Sequence, residues 1–167
     1  DEIEPLLSQI LEQLLKLQFT DDSLCPSIHD KIFNYDVLRW ETSYFKERFV
    51  MRLCQHNEDF SELDDEFHRL AEEVDSFPKR IMHRDFQSEN IMIHEGAPWL
   101  IDFQGAHWGP SVFDLVSFLK DPYVNYPVDL RERLKAYYFS EILKRTNQNQ
   151  ESLERAYILC GLQRHMQ

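Results

Sequence analysis

The chain has 167 residues, of which 43% are hydrophobic and 13% aromatic, and only four are glycine. This length predicts one domain with a single core, and the composition is that of a helix-rich globular protein rather than a disordered one. The formal net charge of −12 excludes a protein that wraps nucleic acid or lies on an anionic membrane, because both need clustered Lys and Arg.

The cysteines and the apolar runs indicate the compartment. Cys25, Cys54 and Cys160 lie far apart and are odd in number, and no C-x-x-C pair occurs. The sequence therefore disfavours a disulfide framework and a zinc site. The longest apolar runs are shorter than the roughly 18 residues that a membrane span needs, and no signal peptide opens the chain. We expect a cytoplasmic protein that does not enter the membrane.

Helical periodicity dominates the first half of the chain. The opening segment "DEIEPLLSQILEQLLKL" carries an amphipathic stripe that predicts a helix. The segment "YDVLRWETSYFKERFVMRLC" predicts a second, mostly buried helix, because its apolar and aromatic residues cover more than half of the circumference. Apolar residues from Phe60 to Phe77 keep a helical spacing within an acidic segment, whose charges we interpret as a solvated face.

Three more helices are predicted in the last third of the chain, over "SVFDLVSFLKD", "VDLRERLKAYYFSEILKR" and "ESLERAYILCGLQRHMQ". The first helix of the chain has a wide apolar face with nothing upstream to cover it, and the last one shows no stop signal before Gln167. We therefore expect the chain to be part of a longer protein. The fold class predicted is α+β and mostly helical.

Between these helices, "NIMIH" and "WLIDF" are the predicted strands, joined by the turn "EGAP" into a buried β-hairpin. We expect His94 to oppose Trp99. Asn90 and Asp102 then lie at the same end of the hairpin, with Cβ atoms on the order of 5 to 8 Å apart. Asp85 is on the loop that leads into this end. Such oxygen-bearing side chains suit Mg²⁺, and together with a carboxylate that deprotonates a hydroxyl they indicate phosphoryl transfer.

The same residues resemble a kinase pattern. The segment "HRDFQSEN" matches the catalytic loop H-x-D-x-x-x-x-N, and "IDFQ" stands where kinases carry D-F-G. Protein kinases continue with a long activation segment that ends in A-P-E, whereas only eleven residues separate Asp102 from Asp114 here. The run "IDFQGAHWGPSVFDLVSFLKDPYV" instead resembles the aminoglycoside phosphotransferase family, which phosphorylates small molecules. It is most similar to the cytoplasmic kinases that phosphorylate the anomeric hydroxyl of N-acetylmuramate and N-acetylglucosamine in cell-wall recycling.

The resemblance implies a role for each residue of the loop. Asp85 would accept the proton of the substrate hydroxyl, while Asn90 and Asp102 would hold Mg²⁺ on the phosphates of the co-substrate ATP. His83 and Arg84 would brace the loop. Other interpretations stay open for single residues: an irregular strand start for Asn90, a turn acid for Asp102, a hydrogen-bonded core histidine for His83, and a carboxylate partner for Arg84.

Three further positions have roles implied by the resemblance. The motif "SVFD" matches a capping box with Ser111 as N-cap, but the resemblance implies that Asp114 accepts hydrogen bonds from the backbone of the catalytic loop. Gln87 stands where protein kinases often carry a phosphate-contacting lysine. Gln104 replaces the glycine of D-F-G. Both glutamines are candidates for a phosphate or substrate contact.

The acceptor pocket is less well defined by the sequence. His107 and Trp108 lie just past the expected metal end, in a segment that could line the pocket, and a core or surface position is an equally good interpretation. In this family the helix that carries Glu41, Arg48 and Arg52 packs near the substrate cleft.

We interpret residues 1–167 as the C-terminal lobe of a protein-kinase-like (aminoglycoside phosphotransferase) fold, with the metal site on its hairpin. A kinase also needs a glycine-rich loop and a strand lysine from an N-terminal lobe, whereas the first glycine here is Gly96 and Lys16 lies on the first helix. We expect that lobe to be absent from this chain and the isolated fragment to be inactive. The predicted function is ATP- and Mg²⁺-dependent phosphorylation of a small molecule, an amino sugar above all. The alternative is a non-catalytic kinase-like module that binds a ligand or partner.

Overall fold

The computed structural model describes residues 3–56 and 59–167 of the chain. Six α-helices and four short strands lie within these residues. Their bounds are α1 Glu4–Gln18, α2 Tyr35–Phe45, α3 Ser61–Ser76, β1 Lys79–Met82, β2 Ile91–His94, β3 Ala97–Leu100, β4 His107–Pro110, α4 Val112–Leu119, α5 Val128–Arg145 and α6 Gln150–Arg164. The predicted α+β, mostly helical class is confirmed.

Helix α4 lies at the centre of the core. All eight of its residues are buried, and it packs against both α5 and α6. Helix α1 covers β1 and α5 with the apolar stripe predicted from the sequence, which buries Leu7, Ile10, Leu11, Leu14 and Leu15. No helix of the described segments has the length and apolarity to cross a membrane.

The second predicted helix differs from expectation. It is α-helical over Tyr35–Phe45 and π-helical over Lys46–Leu53, and the π-helical part has no buried residue. The prediction that this segment is mostly buried is therefore wrong. A π-helix turns by fewer degrees per residue than an α-helix, so the 3.6-residue pattern does not bring its apolar side chains onto one inward face. On the α-helical part, Trp40 and Tyr44 are also exposed, and their rings stack with centroids 5.5 Å apart.

The hairpin of β2 and β3 turns within two residues instead of the expected four. Ile91 pairs with Leu100, and His94 pairs with Ala97, so the predicted pairing of His94 with Trp99 is wrong by two residues. Glu95 and Gly96 form the turn with φ of +50° and +77°, and two successive positive φ values are those of a tight type I′ turn. The hairpin is also exposed rather than buried, with large apolar side chains in solvent: Met92, Ile93, Trp99 and Ile101.

A second two-stranded ladder was not predicted. Strands β1 and β4 pair antiparallel from Lys79 opposite Pro110 to Met82 opposite His107. The two segments are about 30 residues apart, and each is only four residues long, so neither carries a visible two-residue alternation. The ladder holds the start of the loop after β1 beside the segment that follows Asp102.

Candidate active site

The loop between β1 and β2 is held at its start by a buried carboxylate from α4. Asp114 is fully buried, and its Oδ2 and Oδ1 accept hydrogen bonds from the backbone N–H groups of His83 and Arg84, at 2.7 and 2.9 Å. Burial raises the pKa of Asp114 to about 7, although these hydrogen bonds act in the opposite direction. Ser111 makes no side-chain cap hydrogen bond, so the alternative capping box does not form.

His83 ties the loop to the hairpin from inside the core. Its ring is fully buried, and Nε2–H donates to the backbone oxygen of Ile101 at 2.9 Å. Burial lowers the pKa of His83 and favours the neutral ring. Within the described residues Nδ1 has no hydrogen-bond partner. This environment is that of a hydrogen-bonded core histidine, because a proton carrier needs access to the reacting group.

The backbone reverses immediately before Asp85. Arg84 has φ of +76°, a conformation that costs energy for a residue with a Cβ and that clusters at functional sites. Its guanidinium lies 3.6 Å from a carboxylate oxygen of Glu41, a side chain only 4% exposed. The carboxylate partner that the sequence left unidentified for Arg84 is therefore on α2.

The far end of the loop has its own anchor. Asp85 O accepts hydrogen bonds from Gln87 N at 3.0 Å and from Asn90 Nδ2 at 2.8 Å, which closes the loop on itself. Ser88 N–H donates to Oδ2 of Asp121 at 2.6 Å, and Asp121 is almost completely buried. The sequence analysis missed Asp121, since nothing near it in the chain indicates a partner 33 residues away.

The predicted metal residues lie at the same end of the hairpin, as expected. Ile101 N–H donates to Asn90 O at 3.0 Å, and Asp102 follows with φ of +63°. Gln104 Nε2 donates to one carboxylate oxygen of Asp102. A Cβ built at Gly105 would stand 3.6 Å from Asp85 Oδ2, so the turn after Asp102 lies against the Asp85 carboxylate.

This donor set fits Mg²⁺ better than a transition metal. The Asn90 amide nitrogen is engaged with the Asp85 backbone, which leaves Oδ1 as an acceptor, and Asp102 adds a carboxylate. Within the described residues no three or more His, Cys, Asp or Glu side chains form a group able to hold a metal. One carboxylate and one amide oxygen suit an ion that takes its remaining ligands from water and substrate phosphates.

A cavity of about 500 Å³ opens beside the loop. Its wall combines two loop residues with side chains from α2, from the end of α6 and from the residues that follow α6: Trp40, Glu41, Tyr44, Arg84, Asp85, Arg164, Met166 and Gln167. This volume is in the range of small-molecule sites. Sequence reasoning placed Glu41 near the cleft but missed Trp40, Tyr44 and Arg164, because no motif connects these helices to the loop. A larger cavity of about 710 Å³ between α1 and α5 contains none of the loop residues.

His107 and Trp108 do not line the cavity beside Asp85. Trp108 packs its ring against His29, with centroids 4.5 Å apart. His107 Nδ1 lies 2.6 Å from Gly105 O. Of the two interpretations of this segment, the structure favours packing over acceptor binding.

Comparisons with known proteins identify relatives of this chain. The sequence model of the phosphotransferase enzyme family (APH) matches residues 1–150. The chain is 28% identical over 173 aligned positions to an N-acetylmuramate/N-acetylglucosamine kinase of Pseudomonas putida, which covers 99% of the chain and 50% of that protein. It is 45% identical over 49 residues to a kinase of the same name from Neisseria meningitidis, over 29% of the chain and 15% of that protein.

A solved structure shows the same fold. Choline kinase from Cryptosporidium parvum superimposes with a TM-score of 0.64 over 98% of this chain and 57% of its own, at 16% sequence identity. The chain thus spans about half the length of the Pseudomonas putida kinase and of the choline kinase.

Proposed function

The chain belongs to the phosphotransferase enzyme family, and from this membership we propose that it is the C-terminal lobe of an ATP- and Mg²⁺-dependent kinase that phosphorylates a hydroxyl of an amino sugar. The observation that carries the proposal is the placement of the Asp85 carboxylate in the wall of a ligand-sized cavity and against the turn that follows Asp102. One carboxylate thereby faces both the place for an acceptor and the predicted metal end.

Each loop residue has one task in the proposed reaction. Asp85 accepts the proton of the attacking hydroxyl. The left-handed backbone at Arg84 orients the Asp85 carboxylate. Asn90 and Asp102 are the residues that would hold Mg²⁺, which when bound neutralises charge on the ATP phosphates. His83 and Asp114 keep the loop in place through the hydrogen bonds described above.

The cavity supports a sugar as the acceptor. Trp40 and Tyr44 are exposed and stacked, with 62% and 47% of their surfaces accessible. Aromatic side chains of this kind offer a rigid apolar face with a polar edge, which complements the C–H face of a pyranose ring. Glu41 and Arg84 add hydrogen-bonding groups to the same wall. The names of the bacterial relatives favour N-acetylated amino sugars within this class.

The ATP site is proposed to be completed by an N-terminal lobe outside these residues. The exposed apolar side chains of the hairpin, among them Met92 at 53% and Trp99 at 60%, are a surface that a second lobe and a nucleotide base would cover. The coverage of about half of each relative agrees with this. A cytoplasmic location is part of the proposal, since ATP is the co-substrate.

The test is ADP release by the full-length protein with MgATP and a panel of acceptors: N-acetylmuramate, N-acetylglucosamine, an aminoglycoside and choline. We expect release with the amino sugars and a fall in kcat of about 10²- to 10⁴-fold in the Asp85→Asn variant, because general-base catalysis contributes that much. Equal rates in the variant, or no acceptor-dependent release, would overturn the proposal in favour of a non-catalytic binding module.

A further inference from the structure

Arg164 is a cation at the active site for which the kinase pattern has no place. It is the last residue of α6, some 80 positions after the catalytic loop, yet it lines the cavity that contains Asp85. Its guanidinium is held from two sides, by Nε donating to Ser117 Oγ at 3.1 Å and Nη2 donating to Gln87 Oε1 at 3.4 Å. Both partners are neutral, and within residues 3–56 and 59–167 no carboxylate forms an ion pair with it. A half-buried guanidinium whose side-chain partners are both neutral is suited to an anionic ligand.

The contact with Gln87 indicates which anion. Gln87 stands two residues after Asp85, at the position where protein kinases often carry a lysine that contacts the phosphate. Glutamine has no charge to offset the negative charge that spreads over the phosphoryl oxygens during transfer. Its side-chain oxygen instead accepts a hydrogen bond from Arg164, so a guanidinium occupies the neighbourhood of the missing ammonium.

We infer that Arg164 is a catalytic residue that binds the oxygens of the phosphoryl group while it is transferred, an inference that rests on the proposed function. In that reaction the acceptor oxygen forms a bond to the γ-phosphorus, and the bond from phosphorus to the β–γ bridging oxygen breaks. The electron pair of the broken bond stays on ADP, and the hydroxyl proton passes to Asp85. Arg164 does not exchange a proton, because a guanidinium stays protonated. It stabilises the charge of the transferring group through its planar fork of N–H donors.

A competing explanation is that Arg164 only stabilises α6. A cation at the C-terminal end of a helix interacts favourably with the helix dipole, and the Ser117 hydrogen bond ties α6 to α4. A second competing explanation is that it pairs with a carboxylate on the acceptor. The three roles affect different measured quantities, so kinetics with two acceptors separates them.

The experiment uses the full-length protein with MgATP and two acceptors, N-acetylmuramate, which carries a carboxylate, and N-acetylglucosamine, which does not. In the Arg164→Ala variant we expect kcat to fall about 10²- to 10³-fold with both acceptors, with little change in the KM of either. Guanidinium ion added to this variant should restore part of the lost kcat. Arg155→Ala is the matched control, because Arg155 lies on the same helix and pairs with Glu73 on the surface; its kcat should equal that of the wild type.

A double variant gives the sharpest test. If the phosphoryl group needs a cation at this place, the double variant Gln87→Lys/Arg164→Ala should have a kcat at least 10-fold higher than that of Arg164→Ala alone. Lysine then stands where protein kinases carry it. Thermal unfolding of each variant shows whether it folds, and Arg164→Gln, which removes the charge but keeps an N–H donor for Ser117 and Gln87, replaces Arg164→Ala if the latter does not, with the same expected fall in kcat.

Three results would overturn the inference. An unchanged kcat in Arg164→Ala would leave only the structural role on α6, and a rise in KM confined to N-acetylmuramate would assign Arg164 to the acceptor carboxylate. A wild-type protein that phosphorylates none of the acceptors would overturn the proposed function and this role together. Either of the first two results, obtained with an active wild type, would refute the role of Arg164 alone.

Discussion

Two buried aspartates outside the catalytic loop hold its backbone. Asp114 accepts hydrogen bonds at the start of the loop, and Asp121 accepts one from Ser88 near its end. Between them, Asp85 O is bonded to Gln87 and Asn90. Because Asp114 and Asp121 accept hydrogen bonds from backbone N–H groups, they restrain the position of the chain rather than of single side chains. The Asp85 carboxylate, which is proposed to act on substrate, is therefore positioned by Asp114 and Asp121, which have no such role.

The pKa of Asp114 leads to a prediction about stability. Burial raises this pKa from 3.8 to about 7 in the folded protein, so the folded state binds the proton more tightly than the unfolded state. The stabilising contribution is fully present below pH 3.8 and is lost as the pH rises through about 7. We expect the free energy of unfolding of the wild type, relative to Asp114→Asn, to decrease over this range in urea titrations.

The control for this experiment is Asp129→Asn on the exposed surface of α5. The side-chain hydrogen bond from Arg133 lowers the pKa of Asp129 below 3.8, so its contribution changes only at lower pH. The difference in the free energy of unfolding between wild type and Asp129→Asn should be nearly independent of pH over the same pH range. A difference between wild type and Asp114→Asn that does not vary with pH would contradict a raised pKa.

At the scale of elements, the hairpin and the α2 segment expose apolar residues that a sequence pattern assigns to a core. The hairpin has a tight two-residue turn, which sets its register and leaves Met92 and Trp99 in solvent. The π-helical segment Lys46–Leu53 continues α2 on the surface, and the preceding turn presents Trp40 and Tyr44 to the cavity. Both exposed regions adjoin the places where we propose ATP and the acceptor to bind.

The turn of the hairpin gives a prediction at this scale. Glu95 has φ of +50°, and the left-handed conformation costs a residue with an ordinary side chain about 1–2 kcal/mol, whereas asparagine tolerates it. We expect Glu95→Asn to raise the free energy of unfolding by about 0.5–1 kcal/mol, measured by urea denaturation. Gly96→Ala is the matched control, and we expect it to lower the free energy of unfolding. Gly96 has φ of +77° and no neighbour within 4 Å of an added Cβ, so this substitution introduces only backbone strain. Destabilisation by Glu95→Asn would contradict the type I′ turn.

For the whole molecule, the arrangement predicts a divided ATP site. The residues proposed to hold Mg²⁺, Asn90 and Asp102, are on this chain, whereas the glycine-rich loop and the strand lysine of a kinase are proposed to lie on an N-terminal lobe. The chain aligns with only about half of the Pseudomonas putida kinase. Catalysis then requires both lobes, because each contributes different contacts to the same phosphates.

We therefore expect the isolated chain to bind MgATP at least 10-fold more weakly than the full-length protein and to release no ADP. Each missing contact to the nucleotide removes binding free energy, and a factor of ten corresponds to about 1.4 kcal/mol. Isothermal titration calorimetry of both proteins measures the difference in MgATP affinity. The Asp102→Asn variant of the full-length protein shows how much affinity is lost when only a proposed Mg²⁺ ligand is removed. Tight binding and turnover by residues 1–167 alone would refute the divided site.

The sequence by itself determined the α+β class, the helices and the family, because helical periodicity and the spacing of the "HRDFQSEN" and "IDFQ" motifs are local properties of the chain. It also predicted that Asn90 and Asp102 share one end of a hairpin, since that follows from strand pairing in any register near the observed one. Only the tertiary structure decided the ladder of β1 and β4, the anchor at Asp121 and the presence of Arg164 in the cavity. These features depend on residues about 30 to 80 positions apart whose contacts are set by how the helices pack, and no local pattern encodes such a contact.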